Sequence, residues 1–292
     1  MEKQLAYFNR KEMNFPSRPV NLILSALLTI TLGSCSAPGA VPADDQTAES
    51  NQRPAQLAQT KQPPAGIKVT DRIPIFMYHY IRTVDKKKDL MGYDLSVDSE
   101  TLDSMLKYLA DNNYKTIHLA DITEGLAPQK SAILSFDDGY EDFYTTAFPL
   151  LKKYHETASI AIITGKTGQP DYLTAEQIKE LDSNGIEIIA HTVTHPDLNI
   201  TKDPQSEIFG SRDYLERLLG HKITGFVYPS GLYGPATIKL VKEAGFLTAL
   251  TTRHGYAELN KDLLQLKRFR IDNRYKLPAF IEDLSGLPVA AI

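Results

Sequence analysis

The side chains richest in chemistry sit in two short stretches. Asp137 and Asp138 are adjacent and are followed by Gly139, while His191 and His195 lie four residues apart. Neighbouring carboxylates repel unless a cation or a proton comes between them. One of the pair can therefore bind a metal ion while the other stays free as a base. Asp-Gly is also an ordinary surface turn, but the run Ile133-Leu134-Ser135-Phe136 before it reads as buried. Two histidines at this spacing can share an ion. Pro196 disfavours helical geometry at His195, so the pair is expected on a loop after a strand. Two neutral imidazoles and one carboxylate form a donor set for catalytic zinc that leaves a position for water. Cobalt, nickel or iron suit the same donors.

The wider pattern is positional. Apolar runs repeatedly end in polar groups: His79, Asp137-Asp138-Gly139, His191, Pro229-Ser230-Gly231 and Arg268. In a parallel barrel all strand C-termini lie on one face, where active sites are built. The elements needed to bring these groups together are legible. Strand-like runs cover 73–78, 116–119, 132–136, 159–164, 186–190, 225–228, 247–251 and 264–269. Helical patterns lie near 99–112, 142–154, 174–184, 205–219 and 235–244. Gly185, Gly220 and Gly245 follow three of these, as C-terminal stop residues do, and Thr174 with Gln177 has the form of a capping box. The alternation predicts an α/β fold with a mostly parallel sheet. A barrel is the first expectation and an open doubly wound sheet the alternative.

The chain has 292 residues and a formal charge of −4, with no basic stripe of the kind that binds nucleic acid. Its first residues read as an export signal. Lys3, Arg10, Lys11 and Arg18 precede an apolar run from Val20 to Leu32, too short for a membrane span and suited to a secretory signal. Leu32-Gly33-Ser34-Cys35 resembles a lipobox, so residues 1–34 are expected to be cleaved and Cys35, the only cysteine, to carry lipid. Taking away the four basic and two acidic residues of 1–34 leaves 28 basic against 34 acidic, a net of −6. Residues 35–66 are rich in Ala, Pro, Gln, Ser and Thr and read as a flexible tether. The folded domain is expected over 67–292. The expectation is an exported protein, lipid-anchored in the cell envelope.

Ser135-Phe136-Asp137-Asp138-Gly139-Tyr140 resembles the first motif of the polysaccharide deacetylases with a NodB homology domain, carbohydrate esterase family 4. His191-Thr192-Val193-Thr194-His195 is similar to their second motif, and Phe226-Val227-Tyr228-Pro229-Ser230-Gly231 to the third in the branch acting on poly-N-acetylglucosamine. Phe76–Ile81 and Leu266–Ile271 also resemble that branch. The resemblance implies a distorted (β/α) barrel with about seven parallel strands. It implies that Asp137 is the general base and that Asp138, His191 and His195 hold a divalent metal, expected to be zinc. It also implies that the Ser230 N–H, just after Pro229, stabilises an oxyanion. Tyr228 and Pro229 are the candidate substrate-binding residues, and Tyr228 either lines the pocket or packs under it.

The implied reaction is N-deacetylation of an N-acetylglucosamine polymer by a monomeric enzyme. The cation would polarise the acetamide and acidify a water. Two departures stand out. Many members carry an arginine two residues before the third-motif proline, where this chain has Val227. Many carry a histidine two residues after a late leucine, where this chain has Arg268 after Leu266. Arg268 or Arg253 could supply the missing charge, and His79 or Asp137 itself the missing acid. The nearest rival is a hydrolase of another acetamide or an acetyl ester on the same scaffold, and loss of those groups also motivates a carbohydrate-binding lipoprotein without activity. Retention of Asp137 beside intact ligands argues for the enzyme.

Overall fold

The computed structural model describes residues 71–286. The readings placed on residues 1–34, on Cys35 and on the tether 35–66 lie outside the described residues. Seven strands form the centre: β1 (Ile75–Tyr78), β2 (Ser131–Phe136), β3 (Ser159–Ile162), β4 (Glu187–Ala190), β5 (Gly225–Val227), β6 (Thr248–His254) and β7 (Leu266–Arg270). Each pairs in parallel with the next in sequence. The ring closes because β1 lies between β7 and β2, with Phe269 opposite Phe76 and Ile133–Phe136 opposite Ile75–Tyr78. Closure excludes the open doubly wound sheet and gives a barrel of seven parallel strands. The short strand Lys115–Thr116 extends the start of β2 from outside the ring.

Parallel neighbours need long crossovers, usually helical, and the chain supplies them. Among the described residues the longer helices are α1 (Ser99–Asp111), α2 (Phe148–Tyr154), α3 (Ala175–Ser183), α4 (Pro204–Leu219) and α5 (Pro235–Glu243), which lie between strands, and α6 (Leu277–Ser285), which follows β7. Local signals set several boundaries. Asp98 caps α1 by accepting from Thr101 N at 2.7 Å. Thr174 and Gln177 form the reciprocal box at the start of α3, at 3.2 and 2.8 Å. Gly220, at φ 80°, ends α4.

Three differences from the sequence reading have local causes. Pro74 divides the 73–78 run, and Arg72–Ile73 pairs antiparallel with Ala257–Glu258. The 116–119 run is extended only at Lys115–Thr116; the chain then turns into the short helix Leu119–Thr123, because the Glu187 carboxylate accepts from Leu119 N at 2.7 Å and Ala120 N at 3.0 Å. The 142–154 helix opens with a π turn, Phe143–Ala147. The helix α6 carries no expectation from the sequence.

The strand period of two divides the core. Ile75, Ile133, Ala161, Ile189, Val227, Leu250 and Leu266 pack together inside the ring. Phe76, Leu134, Ile160, Ile188, Phe226, Ala249 and Phe269 point outward, into a second cluster shared with α1 to α6. Each buried aliphatic or aromatic side chain contributes about 1.5–3 kcal/mol. Continuing the inward set in steps of two leads from Ile75 to His79, from Ile133 through Ser135 to Asp137, from Ile189 to His191 and from Leu266 to Arg268. The same alternation that fills the barrel therefore delivers its polar groups to one mouth.

Candidate metal centre and active site

At that mouth Asp138, His191 and His195 each offer one ligand atom, and these atoms lie within 4.8 Å of one another. Asp138 Oδ1 is 3.4 Å from His191 Nε2 and 3.7 Å from His195 Nε2. His191 Nδ1 donates to Val227 O at 2.8 Å. That bond leaves the Nε2 lone pair directed at the carboxylate, the arrangement in which a histidine ligand is held by its second nitrogen. Burial would raise the Asp138 carboxyl, but the imidazoles around it, His191 foremost, outweigh that and hold it well below the usual range. Burial lowers His195, aided by His191, which favours the neutral ring a metal needs. One carboxylate and two imidazoles in this geometry fit a divalent cation.

The backbone is strained where the chemistry collects. Asp138 (φ 77°), Thr192 (φ 64°), His195 (φ 61°) and Ser230 (φ 55°) are all left-handed without being glycine. Such conformations persist only where the surroundings enforce them. Gly139, also at φ 77°, completes the turn that separates the two aspartates. Thr192 is fully buried; its Oγ1 accepts from His195 N at 2.9 Å and its carbonyl accepts from Thr164 N at 3.1 Å.

Asp137 faces a different partner. Arg268 Nη1 donates to Oδ1 at 2.7 Å and Nη2 to Oδ2 at 2.8 Å. The guanidinium also donates to Ser135 Oγ at 3.0 Å and, through Nε, to Thr251 O at 2.9 Å. Thr251 is available because β6 bulges: Leu250 to His254 spans the register that Leu266 to Arg268 covers on β7. Bulges beside active sites re-aim groups in this way. Burial would raise the Asp137 carboxyl; the Arg268 charge and hydrogen bonds overcome that and hold it low, hence ionised. His79 Nε2 lies 4.0 Å from Asp137 Oδ2. Burial lowers the His79 pKa against the pull of both aspartates, so the ring is neutral.

The sequence profile described as Polysaccharide deacetylase matches residues 124–249, the stretch that includes Asp137, Asp138, His191, His195 and Ser230. The chain is 31% identical over 272 residues to "Putative polysaccharide deacetylase YxkH" of Bacillus subtilis (strain 168), covering 86% of this chain and 93% of that one. The chain belongs to the polysaccharide deacetylase family. The Staphylococcus aureus (strain MRSA252) poly-beta-1,6-N-acetyl-D-glucosamine N-deacetylase is 27% identical over 192 residues, 58% of this deacetylase and 65% of that enzyme. The solved structure of Streptococcus pyogenes deacetylase PplD in complex with acetate is 32% identical, with a TM-score of 0.68, covering 73% of this chain and 98% of that one.

The deacetylase fold corrects two sequence expectations. Tyr228 does not line the pocket. It is fully buried, stacks on Tyr233 at 4.4 Å and donates to Leu264 O at 3.1 Å, because the strand period points it outward into the helix layer. Pro229 is likewise buried and offers no surface to a substrate. Arg268 is the candidate that supplies the positive charge missing at Val227, and it does so from a fully buried position as the ion-pair partner of Asp137. Arg253, the other candidate for the missing charge, instead donates to Gln265 O at 2.9 Å. Ser230 is exposed just beyond β5, three residues after the carbonyl that holds His191. Sequence reasoning passed over Ser135, Thr192, Thr251 and Glu207. Thr192 and Ser135 lay inside the motifs; Thr251 and Glu207 carried no local signal.

Proposed function

We propose that this deacetylase is metal-dependent and removes N-acetyl groups from a polysaccharide containing N-acetylglucosamine, releasing acetate. The observation that carries the reading is the juxtaposition of an ionised, positioned carboxylate, Asp137, with the Asp138–His191–His195 donor set. The curated name of the Staphylococcus aureus relative supports the substrate class. When bound, a divalent cation, with zinc the ion this donor set suits, supplies Lewis acidity toward the acetamide carbonyl and acidifies water. Asp137 takes the proton from the attacking water, and Arg268 keeps its carboxylate oriented and charged. The Ser230 N–H donates to the developing oxyanion. The amine must leave protonated. Asp137, having gained a proton, is placed to return it to nitrogen as the C–N bond breaks. His79, partly buried and neutral, orients Asp137 or the water.

The test is acetate release from poly-N-acetylglucosamine, chitin oligomers and peptidoglycan, before and after chelation. Release from a glucosamine polymer, lost with chelator and restored by zinc, is the expected result. His191→Ala should lose both bound metal and turnover. No release from any of the three by zinc-loaded protein would leave the carbohydrate-binding reading in place.

We also propose that the enzyme is exported, cleaved before Cys35 and lipid-anchored there, with residues 35–66 as the tether; the lipobox-like Leu32–Cys35 motivates this. Cells fed a labelled fatty acid should label the wild-type chain and not Cys35→Ala. Equal labelling of both would refute the anchor.

A further inference from the structure

The segment between the two histidines is gripped by a residue outside every motif. Glu207 lies in the first turn of α4. Its Oε2 accepts from Val193 N at 2.9 Å and Thr194 N at 2.8 Å, and its Oε1 accepts from Thr194 Oγ1 at 2.6 Å. Two consecutive N–H groups can reach one carboxylate only where neither is taken by a strand or helix partner, as here between β4 and α4. The left-handed residues Thr192 and His195 flank the pair, and the two N–H groups converge on the carboxylate as in a nest. Such a nest ordinarily binds an anion; here the chain supplies its own.

The loop is braced on its other side as well. Val193 O accepts from Gly165 N at 2.8 Å, and a Cβ at Gly165 would come within 2.6 Å of that oxygen. Gly210, one turn along α4 from Glu207, leaves room for Val193: a Cβ there would approach Val193 Cγ2 to 3.1 Å. Val193 and Thr194 are not among the candidate ligands. What the contacts determine is where the chain emerges into His195.

We propose that Glu207 is a positioning residue for the metal centre: by filling the nest at Val193–Thr194 it holds the left-handed turn that aims His195 at the ion shared with Asp138 and His191. This rests on the reading of those three residues as metal ligands. Charge-assisted bonds to two N–H groups are stronger than neutral ones. A glutamine can still accept from both amides, whereas an aspartate is one methylene too short.

The experiment is direct Co2+ and Zn2+ binding to the full chain, by competition with a chromophoric chelator and by the visible Co2+ spectrum. Its variants are Glu207→Ala, Glu207→Asp, Glu207→Gln and the control Asp203→Ala. Asp203 caps the same helix through Ser206 N at 3.0 Å without touching the loop. Glu207→Ala and Glu207→Asp should bind about 10- to 100-fold more weakly, the usual effect of removing support behind a ligand, with an altered Co2+ spectrum. Glu207→Gln should recover most of the affinity. Asp203→Ala should lower the melting temperature and leave affinity unchanged. Affinity within twofold of wild type in Glu207→Ala, or equal loss in Asp203→Ala, would overturn the proposal. A wild-type chain that binds neither ion removes the metal reading itself, and this one with it.

Discussion

Asp137→Asn is expected to lower acetate release by about 10³-fold, inside the range of roughly 10²–10⁴ that a positioned acid–base group contributes, while bound metal stays at the wild-type level. The division follows from geometry. Asp138 alone of the two aspartates lies within ligand distance of both histidines, and Asp137 gives both oxygens to Arg268. The amide also turns an NH2 toward one guanidinium nitrogen, so some loss of stability accompanies the loss of rate. Metal content after dialysis separates the two effects. Asp137→Ala should likewise keep its metal, and His191→Ala should not. Equal metal loss in those two variants would contradict the assignment of base and ligand.

The second large effect is expected at Arg268. Its side chain is fully buried and that of Asp137 is 4% exposed, so solvent screens the pair little. Arg268→Met leaves an uncompensated carboxylate in the barrel mouth, at a cost of about 3–5 kcal/mol, and frees the Thr251 carbonyl from its donor. Turnover should fall with stability because the base loses both its orientation and its counter-charge. Arg268→Lys keeps the charge but not the fork, and should fall between. The double variant Arg268→Met with Asp137→Asn should be more stable than Arg268→Met alone, since a neutral amide needs no cation; additive losses in denaturant unfolding would refute the coupling. The sign of the pH effect follows from linkage. Arg268 depresses the Asp137 carboxyl, so the pair stabilises the wild type above the unfolded carboxylate value. That stability is lost as pH falls through the depressed value. In Arg268→Met burial raises that carboxyl instead, so the stability deficit relative to wild type should be largest at neutral pH and shrink as pH falls and the carboxyl protonates.

The local code carried much of this. The Ile-Leu-Ser-Phe run before Asp137, the two-residue step of side chains along each strand, and Pro196 after His195 are properties of neighbouring residues. They were enough to place strands, loops and the polar strand ends. The spacing of His191 and His195 and the Asp137-Asp138-Gly139 turn identified the donor set for the same reason. The expected capping box at Thr174 is equally local and is present.

Other features depended on which strands become neighbours. Alternation says that Tyr228 and Val227 face opposite ways but not which way is inward; barrel closure sent Val227 inside and Tyr228 under the helices. Arg268 and Asp137 are 131 residues apart, and only the meeting of β7, β1 and β2, with the bulge in β6, put one beneath the other. Glu207 reaches the histidine loop because α4 packs beside β4. In each case the deciding interaction joins segments whose separation along the chain says nothing about their distance in space. Residue type and period specify a strand and its faces, whereas the partner a face meets is chosen by the free energy of closing the whole ring.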